Sequence, residues 1–296
     1  MRYLLIAAIL AGGLLPVAPA AADEPVQFTP ATKWNVSPND TNCALTREFV
    51  HGSQKVAFRL RQFDPGDSFE MTVSGKDIGY RERAPKVRFG PQAIREEIDY
   101  PTHLVFGGGI EGVSWRDTFF SPEWFQAHSA LPGAASNGPT DKDYESVESA
   151  ITSIEIGGTF DPPLVLATGR MHKAMQSMRK CVDEMVSRWG IDLAALRTQS
   201  RPARPVDQAE WAREVQRIYP REMLRQGKGA EIGIRIVVGP DGRPASCHAE
   251  MRLYDPSFEQ AACAAIMKAA RFEPALDAAG QPMTGLFATR VVYRIN

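Results

Sequence analysis

The residues best placed to do chemistry lie in "ASCHAEMRLYDPSFEQAACAA", residues 245–265, which holds Cys247, His248 and Cys263. Two thiols and an imidazole suit three chemistries: ligation of a metal, a thiolate nucleophile with its base, or a disulfide. The elements that carry them decide between these. "SCHAEMRLY" alternates as a strand, with Cys247, Ala249, Met251 and Leu253 on one face and His248, Glu250 and Arg252 on the other. Adjacent strand residues leave opposite faces, so Cys247 and His248 neither share a metal readily nor act as a thiol–base pair. Zinc needs three or four converging ligands, and the chain holds no CxxC or HxxxH pair. The polar face of His248, Glu250 and Arg252 reads as a wet sheet surface.

The compartment decides the rest. "MRYLLIAAILAGGLLPVAPAAADE" has one early cation, Arg2, an apolar run, and the small residues Ala20, Ala21 and Ala22. That is the pattern of a secretory signal peptide over residues 1–22, cut near Asp23. Gly12, Gly13, Pro16 and Pro19 interrupt the run, which makes it short for a spanning helix of about 20 residues; membrane contact is expected only if this segment stays uncleaved. An exported chain with four cysteines favours disulfides. Cys263 lies in the helical stretch 256–270 near the stripe of Phe258, Ala262 and Ile266 that should cover the sheet, so a Cys247–Cys263 bridge is expected. Cys43 and Cys181 then pair by elimination within the first domain, although four cysteines allow three pairings.

The remaining composition is that of a globular protein, with 44% hydrophobic and 23% charged residues among 296 and a net charge of −1. No basic stripe marks a nucleic-acid partner. "KVAFRLRQF", "DPGDSFEMTVSGKDI", "THLVF" and "AITSIEIGG" alternate as half-buried strands, and "SALPGAASNGPTDKD" reads as a long loop. Met171, Met175, Met178, Val182, Met185 and Trp189 recur at helical steps up to Gly190; a methionine stripe could line a groove, but core packing is the plainer reading. "RTQSRPARPVDQ" breaks the pattern as a linker. The expected organisation is therefore a β-rich N-terminal domain with a closing helix at 23–196, a linker at 197–210, and a C-terminal domain at 211–296. In the last, helical stretches flank Pro220, "AEIGIRIVV" and the strand of Cys247 form a hairpin around "GPDGRP", a helix follows, and "GLFATRVVYRI" is the last strand. The fold class is α+β, the small domain being an antiparallel three-stranded sheet with two helices.

Other chemical signals are weak. "FGGGIEG" fits G-x-G-x-x-G through Gly107, Gly109 and Gly112, but a dinucleotide site needs a helix to open at once, and "VSWRDTFFSP" follows. A tight glycine loop fits better. Asp64, Asp67, Glu96, Glu97 and Asp99 have no spacing that favours acid–base work over solvated turns. No catalytic, cofactor or metal residues are assigned.

At the C-terminus, Tyr219-Pro220, Asp241-Gly242-Arg243, Ala261-Ala262, Phe272-Glu273-Pro274-Ala275 and Gly280-Gln281-Pro282 stand in an order that resembles the C-terminal domain of the TonB family, over about residues 211–296. The helix carries Phe258-Glu259 and Cys263 where that family often has Leu-Asp and another aliphatic. The resemblance implies a periplasmic, non-enzymatic protein, supporting transmembrane transport, that binds an outer-membrane receptor or other envelope protein. Binding is by strand addition beside the last strand, here Ala288, Thr289, Arg290, Val291, Val292, Tyr293 and Arg294. Two other readings stay open: an exported hydrolase with its site in the first domain, and a membrane-anchored energy transducer.

Overall fold

In the first domain, strand alternation and a single amphipathic helix account for most of the architecture. The computed structural model describes residues 24–96, 98, 101–129, 138–249 and 255–295. The signal segment 1–22, Glu97, Asp99, Glu250, Met251, Arg252 and Leu253 lie outside the described residues. The strands are β1 (Val26–Pro30), β2 (Asn35–Pro38), β3 (Cys43–His51), β4 (Gln54–Gln62), β5 (Ser68–Lys76), β6 (Lys86–Phe89), β7 (Thr102–Phe106) and β8 (Ile110–Thr118). Helices α1 (Pro122–Ser129) and α2 (Asp141–Ala150), then β9 (Ile154–Gly157), β10 (Leu164–Leu166), α3 (His172–Arg188) and α4 (Leu193–Arg197), complete it.

These strands form one sheet in the order β6-β9-β10-β1-β3-β4-β5-β8-β7, with β2 added against β3. In β4, Val56, Phe58 and Leu60 are buried while Lys55, Ala57 and Arg59 face water, as period-two alternation requires. The sheet wraps α3, whose Met175, Met178, Val182, Met185 and Val186 fill the core. The methionine stripe is therefore core. The glycine motif is the turn between β7 and β8, with Gly108 and Gly109 at φ 76° and 74°, and strand β8 follows it rather than a helix.

Part of the stretch read as a loop is a helix. Thr140 caps α2: its hydroxyl accepts from the Asp143 backbone N–H, and the Asp143 carboxylate accepts from the Thr140 N–H. That capping box lies inside "PTDKD". α2 is locked to α3 by Glu148, which is buried and accepts from His172 Nδ1 at 3.0 Å and from Arg179 Nη2 at 2.9 Å. Arg179 also lies over the Tyr144 ring at 4.4 Å.

The second core belongs to the C-terminal module. It is built from β11 (Arg204–Val206), α5 (Gln208–Arg217), α6 (Arg221–Arg225), β12 (Ala230–Val238), β13 (Pro244–Ala249) and α7 (Pro256–Ala269). The short strands β14 (Arg271–Glu273), β15 (Ala275–Leu276) and β16 (Pro282–Met283) precede β17 (Gly285–Tyr293). The sheet runs β13-β12-β17, antiparallel throughout, with α5, α6 and α7 as its helices rather than two. Pro220 is the N-cap of α6. Gly242, at φ 76°, turns the β12–β13 hairpin, and a Cβ there would meet the Phe272 carbonyl oxygen at 2.2 Å. That close approach explains the glycine in "PDGR".

Two expectations are corrected. Residues 197–210 are not a free linker: β11 pairs with β14, and Ser200 N–H donates to the Leu276 carbonyl at 2.9 Å. Prolines suppressed the helix signal there but suit a short edge strand. Nor is the far face of the C-terminal sheet left to water where it meets the first domain. His248 stacks on Trp189 of the first domain at 5.4 Å, and Val237 joins the first domain's core.

Replacing Glu148 with Ala leaves Arg179 without its carboxylate and unlocks α2 from α3. The expected loss is about 3–5 kcal/mol of unfolding free energy in urea titration. A loss below about 1 kcal/mol, the range of an exposed ion pair, would show that α2 docks through apolar contacts alone.

Candidate partner-binding edge

Four cysteines form two bridges. Cys43 at the start of β3 is joined to Cys181 in α3, and Cys247 in β13 to Cys263 in α7. Each ties a sheet to the helix that covers it. The second fixes α7 on the face of Ile232, Ile234, Ile236 and Val238, all buried. His248, the next residue after Cys247, leaves the opposite face and takes no part.

On that opposite face, β12 presents Arg235 and Val237 to the first domain. Arg235 is 1% exposed, lies over the Trp189 ring at 4.5 Å and donates from Nη2 to the Thr41 carbonyl at 3.1 Å. Burial pushes the pKa of His248 below its ordinary 6.5, Arg235 pushes it further the same way, and Glu259 opposes them.

β17 pairs with β12 along its whole length and has no second strand beside it among the described residues. Its backbone alternates between the two sides. A Cβ on Gly229 would meet the Tyr293 carbonyl oxygen at 2.7 Å, so that carbonyl points toward β12. The Val292 carbonyl accepts from Gln216 Nε2 of α5 at 2.9 Å and points outward. By antiparallel alternation, the even-numbered residues of β17 carry their polar backbone groups toward the rim, Ala288 among them.

The residues assigned to the edge from sequence thus divide. Val291 and Tyr293 are core residues, 5% and 1% exposed, and burial lifts the Tyr293 phenol to a pKa of about 12. Thr289 and Val292 are half-buried, while Ala288 and Arg290 are exposed. Arg294 lies past the end of the strand and is exposed. Gln216 was missed, because its role depends on α5 passing the end of β17. Asp64, Asp67 and Glu96 do not converge into a site: Glu96 pairs with Lys86 at 2.5 Å, and Asp67 accepts from Thr118 Oγ1 at 3.2 Å.

A three-stranded antiparallel sheet backed by helices, with an open last strand, is the frame of a small module suited to binding another chain's backbone. Residues 215–295 match the family described as Gram-negative bacterial TonB protein C-terminal, so the chain carries a TonB C-terminal domain. Residues before 215 lie outside the match. Comparison with curated proteins finds no match. Among the described residues, no helix is long and apolar enough to cross a membrane.

Two measurements test this geometry. Replacing Cys247 and Cys263 together with Ser should lower stability by about 3 kcal/mol, the chain-entropy value for a loop of this length, read from denaturant midpoints with and without reductant. For His248 the sign follows from its lowered pKa. The unfolded chain takes up the proton first as pH falls below 6.5, so stability is full above that value and declines below it. Wild type should lose more stability between pH 7.5 and 5.5 than His248→Gln, and equal losses would exclude His248 as the source.

Proposed function

We propose that this is a periplasmic, non-enzymatic protein whose TonB C-terminal domain captures a short extended segment of an outer-membrane receptor or other envelope protein. Capture is by strand addition along β17, in support of transport across the envelope. The observation that carries this reading is the single-sided pairing of β17. A strand with one neighbour presents donors and acceptors that an incoming backbone can satisfy without catalytic side chains. The family match, to a C-terminal domain of Gram-negative bacteria, supports an envelope setting.

The rim is short. Leu286 is packed against the first domain's core, and the Val292 carbonyl already has Gln216, so pairing centres on Ala288. The first domain holds the module's other sheet face through Arg235 and Trp189 and leaves exposed Ala288 on the rim.

Proline at Ala288 removes an outward donor while leaving the β12 ladder intact, because that N–H does not enter the ladder. Proline at Val291 would instead break the β12 pairing and confound folding with binding. A photo-crosslinking residue at position 290 in Gram-negative cells should give a discrete adduct with an envelope protein, and Ala288→Pro should abolish it while circular dichroism stays unchanged. An adduct of undiminished yield in the folded Ala288→Pro protein would overturn the proposal.

A further inference from the structure

The outward face of the ten-stranded sheet holds a cleft of about 400 Å³, far from β17 in sequence and formed entirely by the first domain. That volume lies in the range of small-ligand sites. Its floor is a row across neighbouring strands: Asn35 of β2 pairs with Thr46 of β3, Thr46 with Arg59 of β4, and Arg59 with Thr72 of β5. Ser74 extends the row of hydroxyls.

Arg59 is the unusual member. An acid directly across the ladder from a strand arginine stabilises the sheet. Two residues on, Arg61 follows that pattern, opposite Glu70 and ion-paired with it. Arg59 has threonine on both sides, is exposed into the cleft, and makes no ion pair among the described residues. Lys33 adds a second cation to the lining, against the single carboxylate of Glu48. Arg47, next to Thr46 in β3, sends its guanidinium to the other face of the sheet, donating to the carbonyls of Thr32 at 2.8 Å and Thr168 at 2.9 Å and lying over Trp34, so it leaves the cleft to Arg59. The wall is Phe106, at the β7–β8 turn and 39% exposed.

We propose that this cleft binds an acidic saccharide. The sugar carboxylate pairs with the Arg59 fork, with Lys33 adding charge. Ring hydroxyls exchange hydrogen bonds with Thr46, Thr72 and Ser74, and the apolar face of the sugar ring lies on Phe106. Hydroxyls around a cation beside an aromatic ring match a molecule that is at once anionic, hydroxylated and partly apolar. This site is separate from strand capture at β17, and either can fail without the other.

Isothermal titration of the exported full chain with trigalacturonate tests it. Trigalacturonate should bind, and its neutral methyl ester should bind at least about tenfold more weakly, the loss of one charge-assisted pair. Arg59→Gln should cost about tenfold or more, while Lys55→Gln, which removes an exposed charge on the same strand outside the cleft lining, should stay within about twofold. Equal binding of acid and ester, or unchanged affinity in Arg59→Gln, would overturn the proposal. So would tri-aspartate or inorganic sulfate binding as tightly as trigalacturonate, since the cleft would then recognise charge rather than sugar. No binding of trigalacturonate to folded protein would overturn it as well.

Discussion

A guanidinium buried in the middle strand of a three-stranded sheet governs how the two parts of this molecule stand together. Taking Arg235 out of water carries a desolvation penalty of several kcal/mol, which only well-placed partners offset. Two of its partners come from the other domain: the face of Trp189 and the carbonyl of Thr41. Since β12 pairs with both β13 and β17, Arg235 cannot shift without moving the sheet. The contact therefore fixes the sheet against the first domain at a defined angle. Val237 and Leu286 add apolar packing beside it, entering or abutting the first domain's core. β12 thus has two covered faces, and the alternation of "IGIRIVV" breaks at Val237, which packs into the first domain's core.

Both disulfides reinforce this joint. Cys43 follows Thr41 closely, and Cys181 sits on the helix that leads to Trp189, so the first bridge holds together the two pieces of backbone that receive Arg235. Cys247 is bonded to α7 while its neighbour His248 stacks on Trp189 from the other side of the same strand. One bridge thus braces the receiving surface and the other braces the strand that meets it. Oxidation and domain alignment are linked through residues adjacent in sequence, with no further device needed.

Much of this was readable from the chain and some was not, for separable reasons. Local periodicity was sufficient for β4, where Val56, Phe58 and Leu60 alternate with charge, and for α3, where the methionine spacing matches a helix packed on one side. The ordered motifs from Tyr219-Pro220 to Gly280-Gln281-Pro282 marked the C-terminal module because each sits at a turn or helix start with its own backbone demand. The destination of Arg235 was not readable. A cation within an amphipathic strand points to solvent on local evidence, and the residues that cover it lie far away in sequence. The same limit hid β11, whose partner β14 is distant in the chain, and the cleft around Arg59, which exists only once four strands are in register.

The open rim of β17 raises a different physical question, since an uncovered strand edge invites uncontrolled pairing with copies of itself. Three features limit that hazard here. Leu286 is packed against the first domain's core at one end, and Gln216 occupies an acceptor at the other. Arg290 places an exposed charge beside the run that is left, which disfavours stacking of like chains. An incoming strand therefore meets a short rim in which one acceptor must be taken from a side-chain amide. That competition penalises registers that need the Val292 carbonyl and favours those anchored at Ala288. The side chain that protects the edge in the free protein thus also biases the register in which a partner strand can pair.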